Sequence, residues 1–247
     1  MLSREELLSV PLSFNAYQKE KDYLQHIILS RIYANTGNQL IFKGGTSLQK
    51  CCGLNRFSED LDFTVKDKLR SEKIELALAE VNRYYPSSYS GYKADHSMGY
   101  IIKIHGPLYK SPISLQTIRL DISMREKVIL PSVNYNIIPI YRDLMPYLVI
   151  AMDLKEVFSE KIRALLTRKK ARDLYDIYFL IKRNIALDLN LVEEKMKFYN
   201  KAYEGKEAVE RIRSLKTQWE KEIPALVFNP PLYDTVSSEV IEFLLSS

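Results

Sequence analysis

Apolar residues recur at helical spacing through residues 17–35, where Leu24, Ile27, Ile28 and Ile32 define one face and Gly37 marks the stop. A short apolar run at 39–43 predicts a strand leading into Gly44 and Gly45, after which Thr46 can cap a short helix ending at Gly53. Over 57–65 the period changes to two. Leu61, Phe63 and Val65 point one way, and Asp60, Asp62 and Thr64 point the other. Residues 67–85 predict a long helix stopped by Pro86. Strands follow at 100–105, 115–123 and 134–140, separated by Gly106-Pro107, Ser111-Pro112 and Pro131. From Asp153 onward the period is helical, in segments near 153–168, 173–183, 191–200, 204–222 and 235–246. Strands first and helices after predict an α/β (α+β) protein, with a core domain at 1–150 and a helical domain at 151–247.

Composition narrows the classes. With 46% hydrophobic residues in 247, the chain can bury a sizeable core, and charges of mixed sign argue against long disorder. The net charge of +5 suits an anionic substrate or RNA without requiring one. The only cysteines, Cys51 and Cys52, are adjacent, too close for a relaxed disulfide, which suggests a reducing compartment. The opening Met-Leu-Ser-Arg-Glu-Glu carries charge where a secretory signal needs an apolar stretch, and the longest apolar run, Tyr147–Met152, is far short of a membrane span. A soluble cytoplasmic protein with no membrane partner is expected.

The chemistry concentrates between Phe42 and Phe63. Two glycines after a strand let a ligand approach the backbone closely. A helix start beyond them offers unpaired N–H groups and positive dipole to a phosphate, and Thr46 and Ser47 add hydroxyls. Asp60 and Asp62, two apart on a strand, send both carboxylates to one face, an arrangement that is costly without a cation. Mg²⁺ or Mn²⁺ already carrying a triphosphate fits such oxygen ligands. Taken singly, a Gly-Gly turn and a solvated Asp-x-Asp with Arg56 as surface partner are ordinary; together, in this order, they are harder to explain that way.

Three blocks carry a resemblance: Lys43-Gly-Gly-Thr-Ser-Leu, Arg56-Phe-Ser-Glu-Asp-Leu-Asp-Phe, and Glu160-Lys-Ile-Arg-Ala-Leu followed by Arg168 and Arg172-Asp-Leu-Tyr-Asp-Ile-Tyr. Over roughly residues 20–185 the sequence resembles the AbiEii-type nucleotidyltransferase toxins of the DNA polymerase β-like superfamily. That resemblance implies a nucleotidyltransferase core with a mixed sheet flanked by helices, a C-terminal helical bundle, and a basic cleft between them. It implies that Lys43, Gly44, Gly45, Thr46 and Ser47 bind the nucleotide and that Asp60 and Asp62 hold the metal. Ile118-Arg-Leu-Asp-Ile-Ser supplies a third carboxylate, Asp121. Alone it reads as a solvated strand residue; the resemblance, which extends to the following Arg125-Glu126, makes it a metal ligand and activator of the acceptor hydroxyl.

Lys161, Arg163, Arg168, Lys169, Lys170 and Arg172 form a run without acids, readable as a solvated helix end. Asp173 followed by Asp176 reads as an N-cap with an acidic third position. If one helix ran through, Lys161, Arg168, Arg172 and Asp176 would share a sector of roughly 80°; a cap at Asp173 would break it. The resemblance implies that Lys161 and Asp176 belong to the active site with Arg172 near the nucleotide, Lys161 neutralising the leaving pyrophosphate. His26, His96 and His105 have no ligand spacing, so no zinc site is expected, and His26 reads as a packed residue.

The expected activity is transfer of NMP from an NTP to a nucleic-acid acceptor, by resemblance the tRNA 3′ end, in a toxin with a cognate antitoxin protein as partner. Two rivals stand beside it. One keeps the chemistry and moves the acceptor to a protein hydroxyl. The other is a non-catalytic RNA- or antitoxin-binding module.

Overall fold

The computed structural model describes residues 1–66, 68–125 and 127–246. The expected helix start at Asp67 and the Glu126 of the Arg125-Glu126 pair lie outside them. The strands are β1 (Leu40–Lys43), β2 (Leu61–Val65), β3 (Ser87–Ala94), β4 (Ser97–Ile104), β5 (Gln116–Ser123), β6 (Val133–Ile137) and β7 (Tyr147–Ala151). They form one mixed sheet in the order β3-β4-β5-β2-β1-β7-β6. β1 runs parallel to β7 and β2 parallel to β5, and the remaining neighbours are antiparallel.

The helices are α1 (Arg4–Ser9), α2 (Ala16–Thr36), α3 (Gly44–Cys52), α4 (Ser71–Val81), α5 (Leu154–Thr167), α6 (Ala171–Lys182), α7 (Leu189–Lys197), α8 (Gly205–Arg213), α9 (Lys216–Leu226) and α10 (Tyr233–Ser246). Among the described residues none is long and apolar enough to cross a membrane.

The chain divides into two compact units. One comprises Met1–Gly53 and Phe57–Met152, the other Leu54–Arg56 and Asp153–Ser247. In the first, register and alternation separate the two sheet faces. Phe42, Phe63 and Ile122 lie level with one another, as do Leu61, Leu120 and Tyr100, and all are buried. Phe42 and Phe63 stack with centroids 5.2 Å apart. Helix α2 packs on α4 and also meets β5 and β7. The second unit is helical, with α5 against α6, α7 and α8, and α6 against α9 and α10.

Several elements depart from the sequence expectation. β3 was not foreseen, because every residue after Ser87 is exposed and no alternation marks it. β7, Tyr147–Ala151, falls within the apolar run Tyr147–Met152, too short for its period to be read. α1 has six residues and owes its start to a capping box between Ser3 and Glu6. The single helix expected at 204–222 is two, divided after Arg213, where the Ser214 hydroxyl donates to the Arg211 carbonyl.

Candidate active site

Helix α3 begins at Gly44, not at Thr46. Its N-cap is Lys43, in extended conformation and with no side-chain capping bond, so the first-turn N–H groups have no cap. Gly44 has φ +76°, and a Cβ there would lie 2.4 Å from Asp62 Oδ2. Only glycine lets this backbone lie against the carboxylate. β1 pairs Lys43 with Asp62, so the two share a sheet face.

Thr46, expected to offer its hydroxyl to a ligand, is fully buried. Its Oγ1 donates to the Asp60 backbone carbonyl and lies 2.8 Å from the Ser58 hydroxyl. Ser47 also turns inward, its Oγ 3.5 Å from the Phe42 carbonyl. What Thr46 keeps available to a phosphate is its backbone N–H, whereas Ser47, the fourth residue of α3, gives its own to the first helical bond. Two glutamines that the sequence did not single out hold the approach to Asp60. Gln25 Nε2 donates to the Ser58 and Glu59 carbonyls, each at 2.9 Å, and Gln49 Oε1 accepts from Ser58 N at 3.1 Å. Asp22 ties α2 to α3 beneath them, paired with buried Lys50 and accepting from Gln49 Nε2 at 3.0 Å and Tyr141 Oη at 2.8 Å. Beside it the His26 ring is pushed down to about 3 by burial and by the Lys50 charge, which together outweigh Asp22.

The parallel pairing of β2 with β5 sets Asp62 level with Asp121, so these two carboxylates belong to one face, and Asp60 lies just ahead of β2. They do not close into a cluster: among the described residues no three His, Cys, Asp or Glu side chains could hold a metal ion. Asp121 Oδ1 instead accepts from the Tyr92 hydroxyl. The Tyr92 ring reaches it across Gly99, where a Cβ would stand 2.4 Å from Tyr92 Oη and 2.5 Å from the Leu120 carbonyl. Burial raises the Tyr92 phenol above its ordinary value, and the Asp121 bond and charge, with Asp60 beyond, raise it further. The residues suit a divalent cation in chemistry, since a pair of carboxylates two apart beside an uncapped helix start gathers hard oxygens and phosphate-seeking N–H groups in one place.

In the helical unit, α5 ends at Thr167 and α6 starts at Ala171 with Lys170 as N-cap, so Asp173 is a first-turn residue and no single helix runs through. The break brings the charges together. Lys161 Nζ lies 2.7 Å from Asp176 Oδ2 and 3.2 Å from Asp173 Oδ1. Arg168 pairs with Asp173 at 2.7 Å, and Arg56 grips Asp176 with two hydrogen bonds. Both aspartates are fully buried. Burial pushes their carboxyls up, but the surrounding cations outweigh it, and both end below the usual range. Lys161, expected at the leaving phosphates, is 6% exposed and committed to these two acids. Arg172 points to Glu222 at 3.8 Å.

A family model described as "Nucleotidyl transferase AbiEii toxin, Type IV TA system" matches residues 27–239. The chain belongs to this family. It is therefore a nucleotidyltransferase toxin of a type IV toxin–antitoxin system. Two solved structures share the AbiEii chain's fold. MenT4, a nucleotidyltransferase toxin from Mycobacterium tuberculosis H37Rv, superposes with TM-score 0.68 at 20% identity, covering 100% of this chain and 91% of that one. JHP933 from Helicobacter pylori superposes with TM-score 0.65 at 22% identity, covering 95% and 93%. No curated protein matches.

Within the AbiEii chain the expected residues thus fall into two sets. Lys43, Asp62 and Asp121 share one face of the central strands, with Gly44 at the start of α3 and Asp60 just ahead of β2, while Lys161 and Asp176 join Asp173, expected only as an N-cap, in a buried ion network of the helical unit. Tyr92, Gln25, Gln49 and Arg56 were missed as site-building residues. Of these only Arg56, inside a recognised block, carried any signal in the sequence.

Proposed function

We propose that this AbiEii-family chain transfers a nucleoside monophosphate from an NTP to a hydroxyl of a nucleic-acid acceptor, the tRNA 3′ end, with Mg²⁺ or Mn²⁺ as cofactor. The observation that carries the reading is the register of Asp62 with Asp121, with Asp60 just ahead of β2 and the uncapped start of α3 against Asp62. The triphosphate docks on the backbone N–H groups of Gly44, Gly45 and Thr46, where helix dipole and first-turn donors favour negative charge. Asp60 and Asp62 would hold the divalent ion, with Asp121 as third ligand. Bound there, the ion would neutralise the carboxylates and the phosphate charge that grows during transfer. The acceptor oxygen attacks the α-phosphorus, its proton passes to Asp121, and pyrophosphate leaves. A cytoplasmic setting and a cognate antitoxin go with the family's toxin–antitoxin role.

Incubation with α-³²P-labelled NTPs, total RNA and total protein tests the reading. Label entering tRNA, lost in Asp62→Asn without a fall in melting temperature, is the expected result. Label entering protein moves the acceptor to a polypeptide hydroxyl, and full activity in Asp62→Asn overturns the assignment of the site.

A further inference from the structure

The face that carries Asp121 continues past it. By register, Gly99, Ile101 and Lys103 of β4 lie level with Asp121, Arg119 and Thr117 of β5. Tyr92, Ser90 and Ser88 of β3 complete the same rows. Alternate residues of these strands, among them Ile102, Ile118 and Leu120, are buried on the opposite face. At about 3.4 Å per residue, the Arg119 row stands roughly 7 Å from Asp121 and the Lys103 row roughly 14 Å. Lys103 and Arg119 are exposed, and neither has an ion pair among the described residues. At the far end His105, next in the same alternation, is exposed and stacks flat on Tyr109, with centroids 3.8 Å apart and planes 2° apart. At the near end the Tyr92 ring lies across Gly99 and is 36% exposed.

We propose that this face is the track of a single-stranded RNA acceptor. The strand's backbone lies on Arg119 and Lys103 and its bases on Tyr92 and on the His105–Tyr109 stack, so that its end is delivered at Asp121. The inference rests on the nucleotidyl-transfer reading above. Unpaired cations interleaved with aromatic faces are what a single strand binds, through phosphate charge and base stacking. A peptide read by main-chain hydrogen bonds would instead add along the outer edge of β3, beside these rows of side chains and not over them.

Fluorescence anisotropy with a short end-labelled single-stranded RNA tests the track. The double variant Lys103→Ala/Arg119→Ala should weaken binding about tenfold and flatten the log–log salt dependence by about 1.4, two phosphate contacts at about 0.7 each. Lys68→Ala/Lys93→Ala removes the same charge from exposed positions, Lys93 alternating to the other face of β3, and should leave the slope unchanged. His105→Ala should weaken binding with no change in slope. Equal effects of the two double variants, or no RNA binding by the parent protein, overturns the track. The labelled-NTP assay separates the two readings. RNA binding that depends on Lys103 and Arg119 while label enters only protein keeps the track and defeats the RNA-acceptor reading. Label entering RNA equally in both double variants does the reverse.

Discussion

The Arg56 guanidinium donates from Nε to Asp176 Oδ1 at 2.6 Å and from Nη2 to Oδ2 at 2.7 Å, both side chains almost wholly out of solvent. Lys161 closes the same carboxylate from another side. Arg56 lies just ahead of Asp60 in the chain, and its segment, Leu54–Arg56, belongs to the helical unit. A fork of this kind fixes both position and direction of the partner.

Removing one member of such a network strands a buried charge, which costs about 3–5 kcal/mol. Asp176→Asn and Lys161→Met are therefore expected to lower the unfolding free energy by that order, read as a fall in the urea midpoint at unchanged slope. A surface lysine would shift stability by no more than about 0.5 kcal/mol. An unchanged midpoint in Lys161→Met, with turnover reduced, would return this lysine to the leaving phosphates.

Gly44 is constrained twice, by φ +76° and by the 2.4 Å approach of Asp62 Oδ2 to any Cβ. Gly44→Ala must displace the Asp62 carboxylate or the start of α3. Expected are a loss of at least about a hundredfold in turnover and weaker NTP binding by calorimetry. Cys51→Ser, farther along α3, should do neither. Retained NTP affinity in Gly44→Ala would reduce the loop to a turn.

Thr46→Val keeps the shape and removes the buried hydroxyl that donates to the Asp60 carbonyl. The orphaned acceptor costs about 1–3 kcal/mol. Because Asp60 shifts with its carbonyl, kcat should fall more than the KM for NTP rises, and Thr46→Ser should restore both. A rise confined to KM would mean that the hydroxyl contacts the nucleotide.

His26 gives a pH signature. Its folded value, about 3, lies below the ordinary 6.5, so the unfolded chain binds a proton that the native protein refuses between those limits. The contribution is complete above pH 6.5 and is lost as pH falls, at up to about 1.4 kcal/mol per unit. Asp173 and Asp176, held below their ordinary 3.8, lose their share only at lower pH. Chemical denaturation from pH 6.5 to 4.5 should therefore show a fall of about 2–3 kcal/mol that His26→Asn largely abolishes. A parent curve as flat as the variant's would place His26 in contact with water.

The sequence by itself determined the elements whose period is strong and whose residues act locally. The α2 face of Leu24, Ile27, Ile28 and Ile32, the alternation of β2 and the glycine-led turn all follow from 3.6- and two-residue periods and from what glycine alone permits. Only tertiary structure decided which long-range neighbours those residues meet. The parallel register that sets Asp121 beside Asp62, the reach of Tyr92 over Gly99, and the inward turn of the Thr46 hydroxyl depend on strands and loops brought together from distant parts of the chain. Lys161 shows the difference most directly. Its run of cations reads as a solvated face, because the local pattern shows the break between the two helices but not how they pack to bring Asp173 and Asp176 onto Lys161. Folding excludes water there, and a buried lysine must find its counter-charges wherever the packing puts them.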